Sequence, residues 1–130
     1  MAQATPLSQL RLTWVKCRTD AWYELAAVDL SNSAFSQGGV YVIWYISKKG
    51  NRKTVRVGQA EILRERLADH RDDDEIQHFA KRHTLYVTCA HVAAGQRDGV
   101  EVYLGQKLEP KLGERFPDVK SIAVNLPSFT

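Results

Sequence analysis

The sequence predicts an α+β domain in which helices flank a small, mainly antiparallel β-sheet. A β-hairpin pattern occupies residues 39–58, a further apolar strand follows at residues 84–92, and helical stretches lie between and after these strands. A chain of 130 residues with 44% hydrophobic content is long enough to bury one core but short for two. We therefore expect a single compact domain.

The N-terminal segment has the weakest structural signal. Residues 1–37 mix short apolar runs with turn formers such as "DLSNS", which indicates irregular structure with one or two short strands. We expect these residues to form an extension that packs on a domain of residues 38–130.

The hairpin has the clearest signal in the chain. The stretch "GVYVIWYI" is rich in β-branched and aromatic residues, "SKKGNRK" has hairpin-turn chemistry, and "TVRVG" resumes the strand pattern. Strand alternation places three residues of the first strand on one face: Tyr41, Ile43 and Tyr45. In the second strand, Val55 and Val57 are expected in the core, which leaves Arg56 and Gly58 on the opposite, more polar face.

Three helices and a last strand complete the prediction. A helix is expected over about residues 60–69, and the acidic stretch "DDDE" suits the capping of a second helix over about residues 75–83. After the central strand, a third helix over about residues 98–108 ends before Pro110. The stretch "IAVNLP", residues 122–127, reads as a short final strand, which gives the order β-β-α-α-β-α-β.

Composition excludes several classes of protein. No apolar run approaches the roughly 20 residues of a membrane span, and the start of the chain lacks the layout of a secretory signal. A cytoplasmic protein with no membrane partner is the expectation. Cys17 and Cys89 are too few and too far apart for a disulfide framework or a zinc site. The net charge of +3 permits contact with a polyanion, but charge alone does not select nucleic acid.

Two charged residues interrupt the apolar faces of two predicted helices. Arg66 shares the helical spacing of Leu63, Leu67 and His70, so we expect it to point inward or towards a cleft. A buried guanidinium without a partner costs several kcal/mol, so a carboxylate or a ligand phosphate must meet it.

Glu101 repeats this feature with the opposite sign, because it shares a helical stripe with Leu104 and Leu108. Two readings stay open. Arg66 and Glu101 either pair with each other, or the carboxylate holds a cation while the guanidinium holds a phosphate oxygen, as phosphodiester cleavage requires.

Four fragments in register resemble the GIY-YIG nuclease family: "GVY" at residues 39–41, "RVG" at 56–58, "RERLADH" at 64–70 and "GVEVYLGQKLEP" at 99–110. That family has a small sheet flanked by helices. Its members cut phosphodiester bonds in DNA with one divalent metal, and they include homing endonucleases, restriction enzymes and repair nucleases.

The resemblance implies a role for each matched residue. Tyr41 aligns with the tyrosine that acts as general base for the attacking water, Arg66 with the arginine that steadies the phosphate, and Glu101 with the ligand of Mg²⁺ or Mn²⁺. His70 matches a position that helps with proton transfer or phosphate contact. A free phenol has a pKa of about 10, so Tyr41 needs nearby cations to lower that pKa if it is to act as a base.

The sequence also departs from the family pattern at two places. Arg56 replaces the second-motif tyrosine; it either contacts phosphate, stabilises a Tyr41 phenolate or marks a site that is drifting from catalysis. Gly113 stands about where the family has an asparagine, and Asn125 is expected to substitute for it.

The predicted function is a metal-dependent DNA endonuclease. Its substrate is expected to be either branched DNA or DNA with a specific target sequence. Four basic residues near the hairpin turn are expected either to touch the DNA backbone or to be plainly solvated: Lys48, Lys49, Arg52 and Lys53. Two alternatives remain: a non-catalytic nucleic-acid-binding module on the same fold, and an interaction domain in which Arg66 and Glu101 form only an internal ion pair.

Overall fold

The computed structural model describes residues 10–16, 21–113 and 116–127. It contains four strands, β1 (Tyr23–Glu24), β2 (Gly39–Ile46), β3 (Arg52–Ala60) and β4 (Tyr86–His91), and three helices, α1 (Leu63–Arg71), α2 (Asp74–Ala80) and α3 (Arg97–Leu108). The strands form one sheet in the order β1-β4-β2-β3, and each neighbouring pair is antiparallel. The predicted α+β class with a small antiparallel sheet is confirmed.

Strand β2 is central and is buried on both faces. Tyr41, Ile43 and Tyr45 pack in one apolar cluster with residues of α1 and α2. Val40 and Trp44 pack on the other face in a second cluster, which includes residues of α3. Because helices cover both faces, β2 reads as a continuous apolar run in place of alternating apolar and polar residues.

A β-bulge interrupts the pairing of β2 with β3. Ile43 pairs with Arg56, but its neighbour Trp44 pairs with Thr54, so Val55 is an extra residue on β3. Two residues of β3 therefore oppose one residue of β2, which is the definition of a bulge.

Because of the bulge, Val55 and Val57 do not lie on the same face of the sheet as strand alternation predicts. Val55 and Val57 are both buried, as expected, but Val55 packs in the cluster of the Tyr41 face and Val57 in the cluster on the α3 side. Beyond the bulge the register is regular, and Tyr41 pairs with Gly58. Arg56 therefore lies on the Tyr41 face, beside Val55.

The first two helices differ from prediction at their ends. Strand β3 continues through Ala60, where it pairs with Gly39, so α1 begins only at Leu63. The predicted acidic cap of α2 is present, because the Asp73 side chain accepts hydrogen bonds from the backbone N–H groups of Glu75 and Ile76. This helix ends at residue 80, before the predicted end at residue 83.

Helix α3 agrees closely with its prediction. It runs from Arg97 to Leu108, and Glu109 follows with a φ of 47°, in the left-handed region that ends a helix. Pro110 cannot continue the helical hydrogen-bond pattern.

The predicted final strand is wrong. Only Val124 forms a bridge, parallel to Leu10, outside the main sheet. The Asn125 side chain holds the same segment, since its Oδ1 accepts from the Leu12 N–H at 2.6 Å and its Nδ2 donates to the Leu12 carbonyl at 3.0 Å. The carbonyl of Asn125 accepts from the Trp14 indole N–H at 3.0 Å.

At both edges of the sheet, backbone carbonyls with which a further strand would pair already accept hydrogen bonds from other segments. Beside β1, the Val15 N–H donates to the carbonyl of Cys89 in β4. On the other side, residues 111–112 donate to the carbonyls of residues 54–55 in β3. The C-terminal segment therefore pairs with residues 10–16 instead of joining the sheet.

Residues of the predicted N-terminal extension enter the sheet and the core. Strand β1 lies within it, and Leu25, Val28 and Phe35 are buried. Cys89 is free and buried, and Cys17 lies outside the described residues. Within the described ranges, no helix combines the length and apolar character that crossing a membrane requires.

Candidate active site

The candidate active site lies where β2 begins and β3 ends. Tyr41 and Gly58 are direct partners across these two strands. A Cβ atom at Gly58 would lie 2.2 Å from the Tyr41 hydroxyl oxygen, closer than any side chain tolerates. Glycine at residue 58 therefore creates the space that the phenol occupies.

Tyr41 and His70 form a buried pair. The Tyr41 hydroxyl oxygen lies 2.6 Å from Nε2 of His70, and the two side chains are 2% and 5% exposed. His70 reaches the phenol because it follows Leu63 and Leu67 on the buried face of α1. The inward position of His70, which helical spacing predicts, is therefore confirmed.

Both members of the pair are neutral near pH 7. Burial raises the pKa of Tyr41, although the charges of Arg56 and Arg66 act to lower it. Burial, followed by the same two arginines, lowers the pKa of His70 to about 4. The cations thus do not offset the desolvation of the phenol, contrary to what a Tyr41 phenolate would need. A neutral imidazole has one acceptor nitrogen, so the phenol can donate to Nε2.

Arg66 was predicted to point either into the core or towards a cleft. It is exposed at the rim of the site, so the second orientation is the one observed. At about 100° per residue, it falls at the edge of the stripe formed by Leu63, Leu67 and His70. Arg66 lines a depression of about 350 Å³ with five other residues, Ala60, Glu61, Ile62, Glu65 and Asp69. Its charge still acts on the pKa of His70.

The expected alternative, a direct pair of Arg66 with Glu101, is not found. In the part of the chain that the structure describes, the Glu101 carboxylate has Gln59 as its hydrogen-bond partner and forms no ion pair with Arg66. Arg66 and Arg56 both favour the charged form of Glu101, but burial outweighs them and raises the pKa of that carboxyl.

Arg56 is half-buried on β3 and is the cation next to the phenol. Its charge acts to lower the pKa of Tyr41, against the larger effect of burial. Arg56 and Arg66 thus approach the Tyr41–His70 pair from β3 and from α1. An anion at this position would meet two guanidinium groups, which match phosphate geometry well.

Glu101 approaches the same edge from α3 and has an unpredicted neighbour. Nε2 of Gln59 donates to Oε1 of Glu101 at 2.7 Å and to Oδ1 of Asp98 at 2.6 Å. Asp98 lies one helical turn before Glu101, so the sequence alone indicates that the two carboxylates are neighbours on α3. Nothing local predicts Gln59, because its role depends on how α3 packs on β3.

The donor set of Asp98 and Glu101 fits a divalent cation. Two carboxylate oxygens converge on one point, which the amide nitrogen of Gln59 occupies. Mg²⁺ is commonly held by one or two carboxylates and completes its shell with water and substrate phosphate. Among the described residues, no group of three or more His, Cys, Asp or Glu side chains is arranged around a metal position.

The other predicted site residues lie apart from this cluster. Lys48, Lys49, Arg52 and Lys53 are exposed at the hairpin tip, residues 47–51, and at the adjoining start of β3. Ser47 is six residues beyond Tyr41, which is about 20 Å along a strand. The Asn125 amide is used by the backbone of Leu12, and no described contact joins it to the Tyr41–His70 pair.

Comparison with known proteins assigns no family to this chain. No family model matches the chain, and no curated protein or solved structure is significantly similar to it.

Proposed function

We propose that this chain is a metal-dependent DNA endonuclease of GIY-YIG type, which hydrolyses phosphodiester bonds. The observation that carries the proposal is the buried Tyr41–His70 pair, on whose phenol the charges of Arg56, Arg66 and Glu101 all act. These groups come from four elements, β2, β3, α1 and α3. They combine a proton acceptor, cations for a phosphate and an oxygen donor for a metal.

The two arginines bind and polarise the phosphate. The Arg56 and Arg66 guanidinium groups donate to its oxygens and stabilise the negative charge that develops during attack. Exposure of Arg66 at the rim suits this role, because a DNA backbone must reach it from solvent.

The buried pair removes a proton from the attacking water. The Tyr41 hydroxyl oxygen accepts the proton of the water, and the hydroxyl proton passes to Nε2 of His70 along the 2.6 Å hydrogen bond. No free phenolate is required in this scheme. The charges of Arg56 and Arg66 contribute to the low pKa of His70, so a bound phosphate offsets them and makes the imidazole a stronger acceptor.

Glu101, with Asp98 beside it, would hold Mg²⁺ or Mn²⁺. When bound, such a metal supplies Lewis-acid stabilisation of charge on the phosphate oxygens. The four basic residues near the hairpin tip would contact the DNA backbone about 20 Å from Tyr41, which corresponds to about six base pairs. We place this activity in the cytoplasm.

A cleavage assay tests the proposal. Supercoiled plasmid and branched DNA are incubated with the protein in the presence of Mg²⁺ or of a chelator, beside Tyr41→Phe and Glu101→Gln. We expect metal-dependent nicking that falls by about a hundredfold or more in Tyr41→Phe, the usual contribution of a general acid or base. Nicking should also be lost in Glu101→Gln, because this change removes a charged metal ligand. Tyr103→Phe and Glu75→Gln are matched controls on α3 and α2 and should cleave as the parent protein does.

One observation favours a second candidate, a non-catalytic nucleic-acid-binding module. Burial keeps the Tyr41 phenol protonated, and Arg56 stands where the GIY-YIG pattern that this sequence resembles has a second tyrosine. DNA binding that depends on Arg66 but gives no cleavage with Mg²⁺ or Mn²⁺ would establish that module in place of the nuclease. Absence of both binding and cleavage would reject both.

A further inference from the structure

Gln59 links β3 to the acidic side chains of α3. It is half-buried, it pairs with Val40 in β2, and its side chain lies next to the site without a part in the proton transfer. The single NH₂ group of Gln59 donates one hydrogen bond to Asp98 and one to Glu101, at 2.6 and 2.7 Å. Both donors of this group are therefore used by carboxylates.

This arrangement places partial positive charge between two anions. Asp98 and Glu101 are one turn apart on α3, and their like charges repel each other. Asp98 is exposed, so solvent competes for its carboxylate. The two short bonds to Gln59 hold that carboxylate beside Glu101 at the position where a cation would be most stabilised.

We propose that Gln59 is a positioning residue that holds the Asp98 carboxylate beside Glu101, so that both face one divalent cation, and that it turns its amide oxygen to this cation on binding. A carboxamide has a donor end and an acceptor end, and rotation about its last bond exchanges them. Amide oxygens belong to the ligands that hard cations accept. The inference rests on the proposed function, because that function places the metal at Glu101. The inference adds Asp98 as a second ligand.

Mn²⁺ binding to the purified full chain tests this inference without measuring cleavage. The dissociation constant is measured by calorimetry or by electron paramagnetic resonance for the parent protein and four variants: Gln59→Leu, Asp98→Asn, Gln59→Glu and Gln106→Glu. Gln106 is exposed on α3, so its replacement adds the same charge at a distance from the carboxylate pair. Circular dichroism verifies that each variant is folded.

The variants should change the affinity in opposite directions. Gln59→Leu and Asp98→Asn should each weaken Mn²⁺ binding about tenfold or more, as loss of a supporting residue or ligand does. Gln59→Glu supplies a third carboxylate and should tighten binding about tenfold, because affinity follows the charge of the ligands. A residue with a purely structural role would not produce this gain. Gln106→Glu should bind Mn²⁺ as the parent protein does.

Several results would overturn the inference: no measurable Mn²⁺ binding by the parent protein, unchanged affinity in Gln59→Leu or Asp98→Asn, or equal gains in Gln59→Glu and Gln106→Glu. The plasmid assay separates this inference from the proposed function. The expected pattern of Mn²⁺ affinity without cleavage supports the role of Gln59 and rejects the nuclease. Cleavage with unchanged Mn²⁺ affinity in the Gln59 and Asp98 variants rejects the role of Gln59 alone.

Discussion

Acid should destabilise the fold through His70. The pKa of this imidazole is lowered from 6.5 to about 4, mainly by burial. Between these two values the unfolded chain binds a proton at His70 that the folded protein does not. The free energy of unfolding therefore falls as the pH falls from 6.5 to about 4, and the loss levels off below that. Each pKa unit is worth about 1.4 kcal/mol, so the full loss is about 3 kcal/mol.

Glu101 acts in the opposite direction. Its pKa is raised, mainly by burial, so in the folded protein it takes up a proton at a higher pH than in the unfolded chain. Its contribution to the free energy of unfolding is present at low pH and is lost as the pH rises. The pH dependence of the parent protein alone therefore mixes the two residues, and a variant without the imidazole is needed.

Urea denaturation of His70→Gln beside the parent protein isolates the effect. Glutamine is compatible with a helix and does not titrate, so the difference in the free energy of unfolding between the two proteins should shrink by about 3 kcal/mol from neutral pH to about pH 4. His78→Gln, at an exposed residue of α2, is the matched control. A difference between parent and His70→Gln that stays constant over this range would refute the reasoning.

Three further predictions concern packing and hydrogen bonds. A double-mutant cycle of Tyr41→Phe and His70→Leu should give a coupling of about 1 to 2 kcal/mol, the worth of their buried hydrogen bond, whereas additive effects would show that the pair is not formed. Gly58→Ala should cost about 1 to 3 kcal/mol in urea denaturation, because its Cβ would meet the Tyr41 hydroxyl; unchanged stability would contradict the close contact. Asn125→Ala should cost about 2 kcal/mol by leaving the N–H and carbonyl of Leu12 without their partner, and a thermal melting temperature equal to that of the parent protein would count against this link.

The sequence predicted the elements whose signals are local. The hairpin, β4 and the three helices follow from side-chain period, turn residues and caps, and their ends differ from prediction by a few residues. The bulge at Val55 was missed because alternation assumes an unbroken ladder. The final strand was wrongly predicted because strand formation requires a free partner, and segments distant in sequence already donate hydrogen bonds to β4 and β3.

The candidate site was predictable only in part for the same reason. Helical spacing identified His70 and Glu101 as residues turned towards the sheet, and strand alternation brought Tyr41 to Gly58. Gln59 was missed, because its contacts depend on the packing of α3 against β3, which no local pattern encodes. The exposure of Arg66 likewise depends on how α1 is rotated on the sheet.

The bulge at Val55 divides the pairing of the hairpin into two segments. Residues 39–43 pair with residues 56–60 in the segment that carries Tyr41 and Arg56, and residues 44–46 pair with residues 52–54 beyond the extra residue. An insertion or a grafted loop at residues 47–51 would add residues outside both paired segments. Chain length can therefore change at the hairpin tip without removing a strand pair of β2 and β3.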